Sequence, residues 1–158
     1  MKLTEIAVEG AIVTDLRATE RDDALAELLD RLIESGATPA ERRGDLLGLM
    51  IEREKKGSTG FGRGVAVPHV KHPEIDRISA AIGLSSNGVE FAALDRQPVY
   101  SIVLLLSPAD RPEEHLQAME VIFKSLSKDT FRRFLRQAST AEEVIDLLKE
   151  ADAQQLAG

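Results

Sequence analysis

A chain of 158 residues with 43% apolar and 30% charged side chains has the balance of a folded, water-soluble domain and the length for one substantial core. That balance excludes a disordered chain or a membrane protein, and the longest apolar stretch, Ile102 to Leu106, is far too short to span a bilayer. A formal net charge of −7, with the basic residues scattered among acids, argues against nucleic acid as a partner. There is no cysteine, so disulfides, thiolate nucleophiles and Cys-based zinc sites are ruled out. Met1 to Gly10 lacks the basic and apolar segments of an export signal, and the expected location is the cytoplasm.

Ile12 to Leu16 is β-rich and predicts a strand. Thr19 then stands as an N-cap candidate before Leu25, Leu28, Leu29, Leu32 and Ile33, which are spaced for an amphipathic helix ending at Ser35-Gly36. Thr38-Pro39 restarts a second helix that buries Leu46, Leu47, Met50 and Ile51. Lys56 to Gly64 carries four glycines in nine residues and predicts a loop. Val65 to Val67 is a brief apolar run before Pro68-His69, and Pro73 keeps the following backbone out of a helix.

Ile78 to Ser85 and Val99 to Leu106 read as buried strands, separated by a turn at Asn87-Gly88 and a short strand, Val89 to Phe91. Beyond Ser107-Pro108 comes a helix with Leu116, Met119, Ile122, Phe123 and Leu126 at helical spacing. Phe131, Phe134 and Leu135 mark another, and Thr140 to Glu143 is a capping-box pattern opening a last helix with Val144, Leu147 and Leu148. Asp152 to Gly158 is expected to fray. The order of elements predicts a single α/β domain over residues 1–158, core about 3–150, with a mixed β-sheet covered by helices on both faces. Arg132, Arg133 and Arg136 share one helix and read as a solvated face.

For chemistry the chain offers three histidines, at 69, 72 and 115. Taken alone, each is more simply a solvated or structural residue. His69 stands out because it follows a glycine-rich segment whose backbone N–H groups can turn toward one point and hold an anion. The spacing is not that of a nucleotide-binding P-loop, since no Lys-Ser/Thr follows the glycines in register. His72, three residues on, has no third ligand nearby, so no metal or cofactor is expected.

The run Arg53-Glu-Lys-Lys-Gly-Ser-Thr-Gly-Phe-Gly-Arg-Gly-Val-Ala-Val-Pro-His69 resembles, without a gap, the active-site signature of type 2 enzyme IIA domains of the bacterial phosphotransferase system. These are the fructose, mannitol and nitrogen-regulatory IIA domains. The resemblance continues through Asp95 to Val99, Ser107 to Asp110 and His115-Leu116. It implies that His69 is phosphorylated, on Nε2, by a histidine phosphocarrier protein, that His115 supports the phosphoryl group and that Arg53 lies beside it. Onward transfer to a IIB domain, or control of a regulated target protein, is the implied use, and the Arg-Glu-x-x-Gly-Ser-Thr-Gly stretch leans toward regulation. Ser58, Thr59 and Gly60 are the candidates for a phosphate cradle. Val70 stands where family members often have glycine, which leaves an alternative open: an interaction module of the same fold that carries no phosphate.

The residue types suit that chemistry on their own terms. A neutral imidazole is nucleophilic through one nitrogen while the other keeps its proton. The transferring group then needs its oxygens stabilised more than it needs covalent help. A hydrolase using His69 with Glu74 or Asp76 ranks last, because neither acid is at a spacing that orients the ring.

Overall fold

In the computed structural model, which describes residues 1–157, two long strands form the middle of a six-stranded sheet. These are β5 (Ser79–Val89) and β6 (Val99–Pro108), paired antiparallel. β1 (Ala7–Val13) runs parallel to β5 on the outside. The free side of β6 takes β3 (Val65–Ala66) and then β4 (His69–His72), both parallel to it, and β2 (Gly60–Gly62) pairs antiparallel with β3.

Alternation along the two central strands divides the interior in two, because successive side chains leave opposite faces of a sheet. Ala81, Ile102, Leu104 and Leu106 meet Leu25, Leu28, Leu29 and Leu32 of α2 (Arg21–Glu34) and Leu46 and Met50 of α3 (Arg43–Lys55). Ala80, Ile82, Leu84, Val103 and Leu105 meet the other layer. That layer is α4 (Pro112–Leu126), α5 (Asp129–Gln137) and α6 (Ala141–Ala157), with the short α1 (Leu3–Ile6) beside them. Helices cover both faces, as expected. Gly83 marks where α2 presses closest, since an added Cβ would lie 2.7 Å from Leu16 and 2.9 Å from Leu28.

Several boundaries differ from the sequence expectation. Thr19 does not cap α2, because its carbonyl accepts from Glu90 N (2.8 Å) while Arg21 N donates to Glu90 O (3.0 Å); Glu20 takes the cap position without a side-chain bond. Pro39 precedes a single 3-10 turn, Ala40–Arg42, before α3 begins. The glycine-rich segment is not all loop, since it includes β2. Asn87-Gly88 does not reverse the chain: β5 passes through it with a register shift between Leu84 and Val89, and Ser85 Oγ accepts from Gly88 N at 2.9 Å. No separate strand over Val89 to Phe91 forms. The capping box is real, with Glu143 N donating to Thr140 Oγ1 at 3.1 Å.

In α4 Ile122 and Leu126 are buried and Met119 packs against the core as expected, but Leu116 and Phe123 turn outward. His115, Ala118, Val121, Ile122 and Leu126 face inward, whereas Leu116 is 63% exposed. Two helical stripes overlap here, and a histidine in the first position of the true one hides it. The expected fraying also fails, because α6 continues to Ala157; Gly158 lies outside the described residues. Among the described residues, no helix is long and apolar enough to cross a membrane.

Asp152 explains the ordered ends. It is buried, and its carboxylate accepts from Leu3 N (2.7 Å), Thr4 N (3.2 Å) and Thr4 Oγ1 (2.7 Å). Removing it strands a buried amide, so Asp152→Ala is expected to lower unfolding free energy by about 2–3 kcal/mol in denaturant titrations, with Asp152→Asn losing less.

Candidate functional site

The site starts from a break in a strand. Val65 and Ala66 pair with Ser101 and Ile102, and His69 and Val70 pair with Leu105 and Leu106, so β3 and β4 keep one register on β6 across the gap at Val67-Pro68. Pro68 has no N–H to give to a ladder. Its carbonyl accepts from Leu105 N at 2.9 Å, and Val67 N turns to Thr59 O at 3.2 Å. The carbonyl of Val67 is left to face the His69 ring, 2.9 Å from Nδ1. A carbonyl can only accept, so Nδ1 carries the ring proton and Nε2 of the neutral imidazole has the free lone pair.

His69 is half-buried at the start of a strand, not on the loop its surroundings predict. Strand alternation then sorts its neighbours. Val70 points to the opposite face and is 7% exposed, packed with the cluster that holds Leu104 and Leu106. The valine at the position that resembles a family glycine is therefore a core residue, and its side chain leaves the face that carries the imidazole. His72 holds a turn: its Nδ1 accepts from Glu74 N at 3.0 Å, and its carbonyl accepts from Ile75 N and Ala109 N.

His115, in the first turn of α4, meets His69 across the sheet edge, with ring centroids 5.4 Å apart and planes tilted by 53°. The two are opposites in setting. His115 is 6% exposed, and its Nδ1 lies 2.7 Å from Ser107 Oγ. Burial first, then the nearby charges of His69 and Lys71, push its pKa down from 6.5 to about 4. The ring is thus neutral at pH 7.

The remaining candidates hold the scaffold. Arg53, exposed in the last turn of α3, donates from Nη1 to Gly57 O at 2.7 Å and closes the turn after the helix. Thr59 gives both its N–H (3.0 Å) and its hydroxyl (2.6 Å) to the buried carboxylate of Glu54. Gly60 N donates to Ser58 Oγ at 2.9 Å, and that hydroxyl lies 3.4 Å from Phe91 O. In this structure the N–H groups of Thr59 and Gly60 and the Ser58 hydroxyl are engaged within the protein, around the β2–β3 hairpin. Their contribution runs through Thr59 O to Val67 and so to the pose of His69.

Two residues at the site went unread in the sequence. Lys71 shares the His69 face of β4, which the period of two gives away once the strand is known. Ser107 reaches His115 across a strand-to-helix junction, a pairing with no periodic signature.

A mixed sheet between two helical layers is the fold this chain shares with solved enzyme IIA proteins. The nitrogen regulatory protein IIA-Ntr of Neisseria meningitidis has the same fold, with TM-score 0.82 and 32% identity over 91% of this chain and 97% of that one. The chain belongs to the family "Phosphoenolpyruvate-dependent sugar phosphotransferase system, EIIA 2", which it matches over residues 5–151. The fructose-specific EIIA component of Haloferax volcanii is 31% identical over 82% of this chain and 83% of its own. The fructose-specific EIIABC component of Bacillus subtilis is 26% identical over 96% of this chain, which spans 24% of that longer protein.

The depressed pKa of His115 has a signed consequence. The unfolded chain binds a proton at this ring below about pH 6.5 and the folded chain does not until about pH 4, so folding stability falls as pH drops through that window. In NMR titration His115 is expected to show a midpoint near 4, and His115→Gln to flatten the loss of stability between pH 6.5 and 4.

Proposed function

We propose that this protein carries a phosphoryl group on Nε2 of His69, taken from a histidine phosphocarrier protein in the cytoplasm and either passed to a IIB domain or held as a regulatory signal. The reading rests on one observation, the Val67 O–His69 Nδ1 bond, which makes Nε2 the nucleophile. In the transfer, the Nε2 lone pair forms a bond to phosphorus as the bond to the donor imidazole breaks, and the electron pair of that bond returns to the donor ring. His115 stays neutral; with the Ser107 hydroxyl donating to its Nδ1, its Nε2–H faces the phosphoryl oxygens as a donor. Lys71 supplies positive charge on the same face. Arg53 keeps further guanidinium donors beyond the one on Gly57 and serves the phosphate or the incoming partner.

Leu116 stands open to solvent beside His115, and two turns along α4 Phe123 meets Phe61 at 4.9 Å between ring centroids. This exposed apolar strip is the surface offered to the phosphocarrier. The likeness to IIA-Ntr favours the regulatory use. Nothing favours the module that carries no phosphate, since Val70, its one motive, packs in the core.

Incubated with enzyme I, the phosphocarrier and phosphoenolpyruvate, the wild type is expected to gain the mass of one phosphoryl group and His69→Ala to gain none. His115→Ala should slow transfer by roughly 10²-fold, the usual loss for one removed donor to a reacting oxyanion. Leu116→Glu should raise KM for the phosphocarrier and leave unfolding unchanged. No mass gain by the wild type with a competent cognate phosphocarrier would overturn the proposal.

A further inference from the structure

The arginines of α5 form a solvent-facing surface, as expected, with Arg133 and Arg136 exposed and Arg132 half-buried. Arg132, Arg133 and Arg136 converge with Arg63, some 70 residues earlier in the chain, around a cavity of about 530 Å³. A space of this size lies within the range of small-molecule sites, roughly 300–1,000 Å³. The cavity opens at the Tyr100-Ser101 end of β6, four residues from Leu105, the partner of His69. At about 3.3 Å per strand residue it lies about 13 Å from the phosphoryl site along that strand and is separate from it.

Its charges are mostly unanswered by carboxylates, and Arg133 also lies over the neighbouring Phe134 ring, 5.5 Å from its centroid. Asp129 is the only carboxylate in the lining, and Arg132 already holds it while giving Nη1 to Leu126 O at 2.7 Å. Among the described residues, Arg63, Arg133 and Arg136 have no carboxylate within 4.0 Å. The guanidinium carbon of Arg136 lies over Tyr100, 3.5 Å from the ring centroid. The ring is backed in turn by Gly64 and Gly88, where an added Cβ would come within 3.2 Å of its carbons. Arg63 sits at φ +60°, a conformation rare for a side-chain-bearing residue, with its N–H on Asp95 Oδ2 at 3.2 Å. In a chain of net charge −7, clustered guanidinia with one of them over an aromatic ring are a local exception. Acids farther than about 8 Å are screened at physiological salt, so the nearby guanidinia decide what enters.

We propose that this cleft binds a small organic polyphosphate, of the charge and size of a nucleoside di- or triphosphate. Guanidinium forks match phosphate oxygens in pairs, and the outer face of Arg136 on Tyr100 is a platform for a planar ring. The segment Val65-Ala66-Val67 runs directly from the cleft to the carbonyl that orients His69, so an occupant sits at the head of the element that sets the imidazole.

Calorimetric titration with ATP, ADP and inorganic phosphate, without magnesium, tests the assignment independently of phosphorylation at His69. Saturable binding is expected, tightest for ATP and weakest for phosphate. Arg133→Ala with Arg136→Ala should weaken ATP by at least roughly tenfold, as loss of charged hydrogen bonds does. Arg63→Gly, which relaxes the backbone and so spares the fold, should weaken it as well. Phosphoryl acceptance at His69 should be unaltered in both variants. Absence of saturable binding at millimolar ATP, or binding that these variants leave unchanged, would overturn the proposal.

Discussion

The hydrogen bond from His69 Nδ1 to Val67 O is the constraint around which the site is built. It exists because Pro68 interrupts a strand without shifting its register, freeing one carbonyl from the ladder. Each earlier element contributes to that geometry. Glu54, buried at the end of α3, holds both donors of Thr59, and Thr59 O holds Val67 N. The glycine-rich signature thus also serves as the mount for one carbonyl, with Gly60 allowing close packing, where an added Cβ would meet Ala93 at 3.0 Å, and Gly62 and Gly64 taking positive φ.

The second histidine shows how the same side chain is given a different task by its surroundings. His69 stands at an open edge, whereas His115 is enclosed by α4 and β6 and is held neutral by desolvation. Two imidazoles with centroids 5.4 Å apart would repel if both were charged. Keeping one of them neutral lets it act as a hydrogen-bond donor instead of a competing cation, and a dianion placed between them would be met by a directed N–H.

Most of the architecture was legible because the two central strands and the helices of both layers carry clear periodicities. The errors have identifiable causes. Asn87-Gly88 has turn chemistry but sits inside β5, where the bulge uses it. Leu116 and Phe123, apolar yet outward-facing, drew the expected stripe of α4 away from His115 and Ala118, which look unremarkable in sequence. At the site, the ungapped run to His69 was readable, but the fate of individual donors was not. Whether Ser58 or Thr59 faces a ligand or its own loop depends on Glu54 and Phe91, contacts that no spacing rule encodes. Arg63 and the α5 arginines lie too far apart in the chain for their convergence to show.

The clasp between Asp152 and the amides of residues 3 and 4 joins positions 149 apart in sequence. A chain whose first and last helices are tied together in this way is close to being a closed ring. A short linker across that junction, with new ends opened at an exposed tip such as Gly36, would give a circularly permuted protein with the β6 edge and both histidines undisturbed. The same closeness holds the first and last helices as one unit, so that strain entering through either reaches the other through a single carboxylate.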